Sequence, residues 1–175
     1  MSLLCEVLKK INIDINNDSA KVISLKFYAK KDTLELILED NVPLAFESYQ
    51  KLFDGLKNSC HTNVDIIVRS LSNDNDIQKF HKYLNYFANK NELSVYKKAM
   101  PSLEKDEIKL CFYNDADKQL ADNCLSVLTA LFDKAGFHKI KIENITKEIN
   151  AAINDVIVDK TESNNKILAK FLSSL

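Results

Sequence analysis

Glycine is the residue that most restricts this chain, because its 175 residues contain two, Gly55 and Gly136. Glycine is the usual residue where the backbone needs a positive φ angle or must approach a ligand closely. Nucleotide-binding loops of the GxGxxG and Walker A types are therefore excluded. The GxSxG nucleophile elbow and the GxxG clamp of KH domains are excluded for the same reason.

The composition is typical of a globular protein, with 46% hydrophobic and 28% charged residues. No apolar run reaches the roughly 18 residues of a membrane span. Lys and Arg number 24 against 25 Asp and Glu, a net charge of −1 that disfavours a dedicated nucleic-acid coat protein. Cys5, Cys60, Cys111 and Cys124 form no CxxC motif, and we recognise no signal peptide. We therefore expect reduced thiols and a cytoplasmic location.

Hydrophobic periodicity predicts an α+β protein whose first unit covers residues 1–100 in the order α-β-β-α-β-α. The predicted elements are a helix at 2–11, strands at 23–28 and 34–39, a helix at 45–56, a strand at 64–68 and a helix at 77–87. The turn at Lys30–Asp32 makes the first two strands a hairpin. Pro43 is expected in the first turn of the second helix, and residues around Leu93 and Tyr96 suit another short helix.

Residues 101–106 are predicted to be a linker, followed by a second unit, 107–158, in the order β-α-β-α. Its predicted elements are a strand at 108–113, a long helix capped by Asn114–Asp115, a strand at 140–142 and a helix at 146–157. The sequence Ala135–Gly136–Phe137 predicts a helix stop with glycine in the left-handed C′ position. Residues 159–175 are expected to form a polar connection and an amphipathic C-terminal helix. A repeated Leu-Phe-Asp, at 52–54 and 131–133, suggests an internal duplication.

The possible catalytic residues have simpler structural explanations. Cys60 and His61 are neighbours in sequence, which rarely aligns a thiol with an imidazole, so a helix end is the better interpretation. Asp115 and Asp117 follow a strand, as metal-binding carboxylates do in nucleotide-transferring enzymes. Carboxylates in a first helical turn, however, favour capping and the helix dipole. We predict no catalytic residue, no cofactor and no metal site in this chain.

Two sheet faces are candidate binding surfaces, because side chains alternate along a strand. Tyr28, Ile37 and Ile67 are predicted to share the outward face of the first sheet, within a charged rim that includes Arg69. Such an apolar centre is typical of a protein-binding surface; the alternative is that a helix covers it.

The outward face of the second sheet is predicted to carry an aromatic side chain among lysines. Its candidate nucleic-acid-binding residues are Lys109, Tyr113, Lys139 and Lys141. An aromatic ring can stack on a base while ammonium groups bind phosphates. The alternative is an ordinary solvated sheet face.

Two segments resemble the amino-terminal region of the PolC-type DNA polymerase III alpha subunit of low-GC Gram-positive bacteria and mollicutes. They are Val42–Leu52, after the hairpin, and Ala135–Phe137, which leads into Ile140–Ile142. The order of predicted elements agrees with that region from Ile23 to about Val158.

The resemblance implies a non-catalytic module with a truncated KH-like fold, similar to the polymerase-binding domain of the clamp-loader tau subunit. It implies contacts with tau or another replisome protein during DNA replication, with no membrane partner. The parent polymerases combine DNA synthesis with a 3′–5′ exonuclease, and their catalytic motifs are missing from these 175 residues. The alternative function is a KH-like module that binds single-stranded nucleic acid.

Overall fold

A computed structural model describes residues 20–72, 74–105, 107–137 and 140–147. The strands are β1 Lys21–Tyr28, β2 Thr33–Asp40, β3 Asn63–Ser70, β4 Met100–Glu104, β5 Glu107–Phe112 and β6 Lys141–Thr146. The helices are α1 Phe46–Cys60, α2 Ile77–Phe87 and α3 Asp115–Lys134, with 3₁₀ helices at Ala29–Lys31 and Asn91–Lys98. The longer of these two is called the 3₁₀ segment below. The predicted helices at 2–11 and after Thr146, and the C-terminal segment 159–175, lie outside the described residues.

Two three-stranded sheets with the same connectivity form the framework, so the predicted α+β class is confirmed. The strand orders are β1-β2-β3 and β4-β5-β6. In each sheet the first two strands are antiparallel and the last two are parallel. A parallel pair needs a crossover connection, which α1 provides in the first sheet and α3 in the second.

The segment predicted to be a linker forms strand β4 instead. Pro101 pairs with Leu110, and Leu103 pairs with Ile108, in the antiparallel register of β4 and β5. Proline lacks the N–H that a central strand must donate, but an edge strand such as β4 tolerates it. The second unit therefore begins with a hairpin, as the first does.

Strand β1 is far more exposed than its alternating sequence predicts. A β-bulge lies between Val22 and Ser24, so Ile23 has no partner on β2 and is 49% exposed. Leu25 and Phe27 do lie on the helical side of the sheet, yet they are 38% and 58% exposed. A bulge adds one residue to one strand of a pair and interrupts its alternation.

The helices bury one face of each sheet and meet in a shared aromatic cluster. Phe80 of α2 stacks on Phe132 of α3, with ring centroids 4.1 Å apart and planes 3° apart. Phe137 contacts both of these rings and Tyr83 as well. Side chains from both units thus belong to one hydrophobic core.

The end of α3 has the predicted geometry. The amide of Phe137 donates to the carbonyl of Phe132 at 2.9 Å, and the amide of Gly136 donates to that of Asp133 at 3.1 Å. These two bonds, with Gly136 at φ +100°, form a Schellman motif. The rings of Phe132 and Phe137, 5.4 Å apart, supply its hydrophobic contact.

Two helix starts follow the sequence signals and one does not. Asp76 accepts bonds from the amides of Gln78 and Lys79, and Asn114 accepts one from the amide of Asp117. Both are N-caps of the expected kind. Pro43, by contrast, precedes the first residue of α1 by three positions and lies outside its first turn. Within the described ranges, no helix combines the length and apolarity needed to cross a membrane.

Candidate interaction surfaces

The outward face of the first sheet, called the first-sheet face below, has an isoleucine pair at its centre. Ile37 of β2 lies directly opposite Ile67 of β3, and Ser24 of β1 completes the row. Both isoleucines are partly buried. They point away from Leu36 and Ile66, which face the helices and are fully or almost fully buried.

Charged residues lie on either side of this pair. The row towards one end of the sheet is Lys26, Glu35 and Asp65, and the row towards the other is Lys21, Glu39 and Arg69. Asp65 also forms an ion pair with Lys134 of α3, in which Lys134 Nζ lies 2.7 Å from Asp65 Oδ2. The face therefore has an aliphatic centre between two rows of mixed charge.

Tyr28 is on the same face but does not join the isoleucines. It pairs with Thr33, so the Glu35 row separates it from Ile37. Its hydroxyl donates to Glu35 Oε1 at 3.2 Å, and this hydrogen bond raises the pKa of the phenol. The predicted centre of three apolar residues is thus a centre of two, with Tyr28 at the rim.

The lysines on the outward face of the second sheet are bound by carboxylates. Lys109 Nζ lies 2.7 Å from Glu143 and 3.6 Å from Glu107, and Lys141 Nζ lies 2.7 Å from Glu107. A hydrogen bond from Lys109 lowers the pKa of Glu143, and one from Lys141 lowers that of Glu107. A phosphate approaching either ammonium group would meet a carboxylate first.

Of the other two candidates, Tyr113 lies within the described residues. Tyr113 is 50% exposed, and its hydroxyl lies 2.7 Å from the sulfur of Met100. Lys139 lies outside the described residues. The described part of the face therefore does not favour nucleic-acid binding.

Because of these ion pairs, we expect the folded protein to become less stable in acid. A carboxylate whose pKa is lower in the folded protein stabilises the fold above its unfolded pKa, about 4.3 for Glu. That stabilisation disappears as the pH falls through the lowered pKa of Glu107 and Glu143. We expect urea unfolding between pH 7 and pH 3 to show a shallower acid loss in Glu107→Gln than in the wild type. The effect is small because the pairs are exposed.

Glu104→Gln is the comparison variant, because Glu104 is on the same face and acts on Lys109 only through its charge, without an ion-pair contact in the described part of the chain. It should leave the pH profile closer to that of the wild type. An unchanged profile for Glu107→Gln would show that its ion pair contributes nothing to folding.

Asp115 and Asp117 lie in the first turn of α3, but the cap of that helix is Asn114, and the two carboxylates bind other side chains. Asp117 binds Lys98 at 2.8 Å and accepts a bond from the side chain of Asn114. The hydrogen bond from Lys98 is the larger cause that lowers the pKa of Asp117, and the bond from Asn114 is the second. Asp115 accepts a bond from the Thr146 hydroxyl at 2.7 Å. Within the described ranges, no group of three or more potential metal ligands occurs.

His61 follows the last residue of α1 and takes a left-handed conformation, φ 49°. Cys60 ends the same helix and is exposed. The pair thus marks a helix end, as expected from sequence. His81 lies exposed on α2, and His138 is outside the described residues.

Comparison with other proteins does not assign the chain to a group. No family model matches it, and no curated protein or solved structure is significantly similar to it.

Proposed function

We propose that this chain is a non-catalytic protein-interaction module of a bacterial replisome. It would lie at the amino terminus of a PolC-type DNA polymerase III alpha subunit and bind the clamp-loader tau subunit or another replisome protein. The observation that carries the proposal is the in-register pair of Ile37 and Ile67 on a sheet face turned away from the helices.

The first-sheet face has the distribution of residues expected for a transient protein interface. Aliphatic anchors at the centre usually supply most of the binding energy, while charges at the rim tune rate and salt dependence. Three strands of eight residues give a face about 26 Å long and about 14 Å wide, or about 360 Å². A standard interface buries about 800 Å² on each partner. The partner must therefore reach past the sheet, or bind weakly and reversibly.

The resemblance to the polymerase region supports the choice of partner. Val42–Leu52 forms the connection from β2 and the first half of α1, and Ala135–Phe137 forms the Schellman motif at the end of α3. Whether the native reading frame continues past Leu175 into polymerase motifs is the most direct test of this part of the proposal.

Binding of single-stranded nucleic acid is the less favoured alternative. Lys109 and Lys141 are already paired with Glu143 and Glu107. Binding to an oligonucleotide that falls steeply with salt and weakens in Tyr113→Ala would support that alternative.

We expect Ile37→Asp to weaken binding of the tau subunit by more than tenfold, or about 1.4 kcal/mol. The aspartate would place a charge at the desolvated centre of the interface. Isothermal titration calorimetry measures the affinity, and urea unfolding checks that the variant is folded. Leu71→Asp is the matched control, because Leu71 is 63% exposed and follows the end of β3.

Arg69→Glu should act differently, mainly on the association rate, because it changes a rim charge. Intact tau binding by a folded Ile37→Asp, Ile67→Asp double variant would exclude the first-sheet face. If the wild-type chain binds no replisome subunit, the proposed function is wrong.

A further inference from the structure

A cleft lies where the two units meet, on the helical side of the first sheet. Its inner pocket, about 80 Å³, is bounded by α1, β3 and the C-terminal ends of α2 and α3. An outer groove of about 380 Å³ adjoins it, and Lys90, Leu131 and Lys134 line both parts. Sites for small molecules commonly measure about 300–1,000 Å³ and often lie between domains. The cleft therefore has the size and the position of a ligand site.

The walls of the inner pocket are mostly apolar. Phe53 of α1 meets Tyr86 of α2 with ring centroids 6.3 Å apart, and the ring of Tyr49 lies 6.4 Å from that of Tyr86. Val64 of β3 and Leu131 of α3 also line the pocket and are partly buried. An apolar cavity of about 150 Å³ holds a benzene molecule, so this smaller pocket suits a branched alkyl group.

Three polar groups of the inner pocket have no hydrogen-bond partner among the described residues. They are the hydroxyls of Tyr49 and Tyr86 and the ammonium group of Lys90. Tyr49 is 7% exposed, and burial is the main cause that raises the pKa of its phenol, so it is a neutral donor at physiological pH. In contrast, both oxygens of Asp65 accept bonds from Lys134, at 2.9 and 2.7 Å. The groups left to bind a ligand are therefore all able to donate.

The backbone around Lys90 is fixed on both sides. Its amide donates to the carbonyl of Phe87 at 3.0 Å, and its carbonyl accepts from the amide of Leu93 at 3.0 Å. These bonds hold Lys90 between the end of α2 and the start of the 3₁₀ segment. The exposed side chain therefore starts from a set position, at the junction of the inner pocket and the outer groove.

We propose that this cleft binds a small organic acid with a branched alkyl body. The alkyl group fills the inner pocket, and the carboxylate accepts hydrogen bonds from Lys90 and from the tyrosine hydroxyls. Bonds between charged groups are about twice as strong as neutral ones, and removal of the alkyl group from water adds to the affinity. Glu92 lines the outer groove but not the inner pocket. The pocket itself contains the Lys134–Asp65 pair and the unpaired Lys90, a balance that favours an anion.

Amide NMR of the isotope-labelled full chain tests the proposal, with isovalerate as the probe. We expect a Kd of about 1–10 mM, as suits so small a ligand, and shifts confined to residues that line the cleft. Isoamyl alcohol has the same carbon skeleton with a neutral hydroxyl in place of the carboxylate. It should bind at least about fivefold more weakly, because it cannot form the charged bond to Lys90.

Two variants test the assigned donors. Lys90→Gln and Tyr49→Phe should each weaken isovalerate binding by about fivefold, because each removes one donor and keeps most of the side chain. Lys51→Gln is the matched control, since Lys51 is an exposed lysine of α1 that does not line the cleft. Its affinity for isovalerate should equal that of the wild type. Urea unfolding checks that all three variants are folded.

Three results would overturn the proposal. The first is the absence of amide shifts at isovalerate concentrations ten times the expected Kd. The second is equal affinity for isovalerate and isoamyl alcohol, which would show an apolar pocket without an anion site. The third is equal weakening by Lys90→Gln and Lys51→Gln, which would show non-specific attraction to lysines. None of these results bears on tau binding, because Lys90 and Tyr49 lie outside the first-sheet face.

Discussion

Gly136→Ala should destabilise the protein by about 2–6 kcal/mol, for two independent reasons. Gly136 has φ +100°, a conformation that residues with a Cβ adopt only under strain. A Cβ built at Gly136 would also clash with Ser70 Oγ and lie 3.2 Å from Val68 Cγ1. The Ser70 hydroxyl would have to rotate away and Val68 would have to shift, so both the backbone and the packing suffer.

Gly55→Ala is the matched control, because it makes the same chemical change inside helix α1. Alanine is favoured over glycine in a helix by up to about 1 kcal/mol, so this variant should be as stable as the wild type or more so. Urea unfolding of both variants gives the comparison. A Gly136→Ala protein with wild-type stability would contradict the close packing of α3 on β3.

Phe132→Ala should cost about 3–5 kcal/mol, the range for deleting a buried aromatic ring. Phe132 is 1% exposed. It stacks on Phe80 at 4.1 Å and meets Phe87 and Phe137 edge-on at 5.2 and 5.4 Å. Because these rings come from both units, the loss should lower the stability of both sheets together.

Amide hydrogen exchange followed residue by residue measures this coupling. Amides of β2 and of β5 should lose protection to the same extent in Phe132→Ala. Phe132→Leu keeps most of the volume and should cost less. Loss of protection confined to β5 would show that the two units unfold independently.

The parts of the fold that were predictable from sequence depend on local signals. Alternating apolar residues located β2, β3 and β5, because each has one face buried against helices. The end of α3 was predictable because Gly136 and Phe137 carry the full chemistry of a Schellman motif. Asn114 was recognisable as a cap for the same local reason.

The errors lie at the edges of the sheets, where pairing and coverage are not local. Strand β4 was mistaken for a linker because Pro101 and a polar neighbourhood resemble a loop, and only an edge position makes them compatible with a strand. The alternation of Leu25 and Phe27 predicted burial, but α1 crosses over the parallel pair and leaves β1 less covered. The bulge at Ile23 had no sequence signal.

For the candidate surfaces, too, the sequence predicted the face on which a residue lies but not the residues beside it. Alternation correctly put Ile37 and Ile67 on one face, but their exact opposition depends on the register of β2 and β3. The separation of Tyr28 from them also follows from register. Lys109 and Lys141 could be placed on a face from sequence, whereas their pairing with Glu143 and Glu107 required the alignment of β5 with β6.

The position of the aromatic cluster along the chain affects how the protein emerges from a ribosome. Phe132 follows Phe87 by 45 residues, which is about 2–9 s of synthesis. During that interval the rings of α2 have no α3 to stack on, so a nascent first unit exposes aromatic surface. The rate of translation between residues 87 and 132 therefore sets how long this exposed aromatic surface can bind chaperones or neighbouring chains.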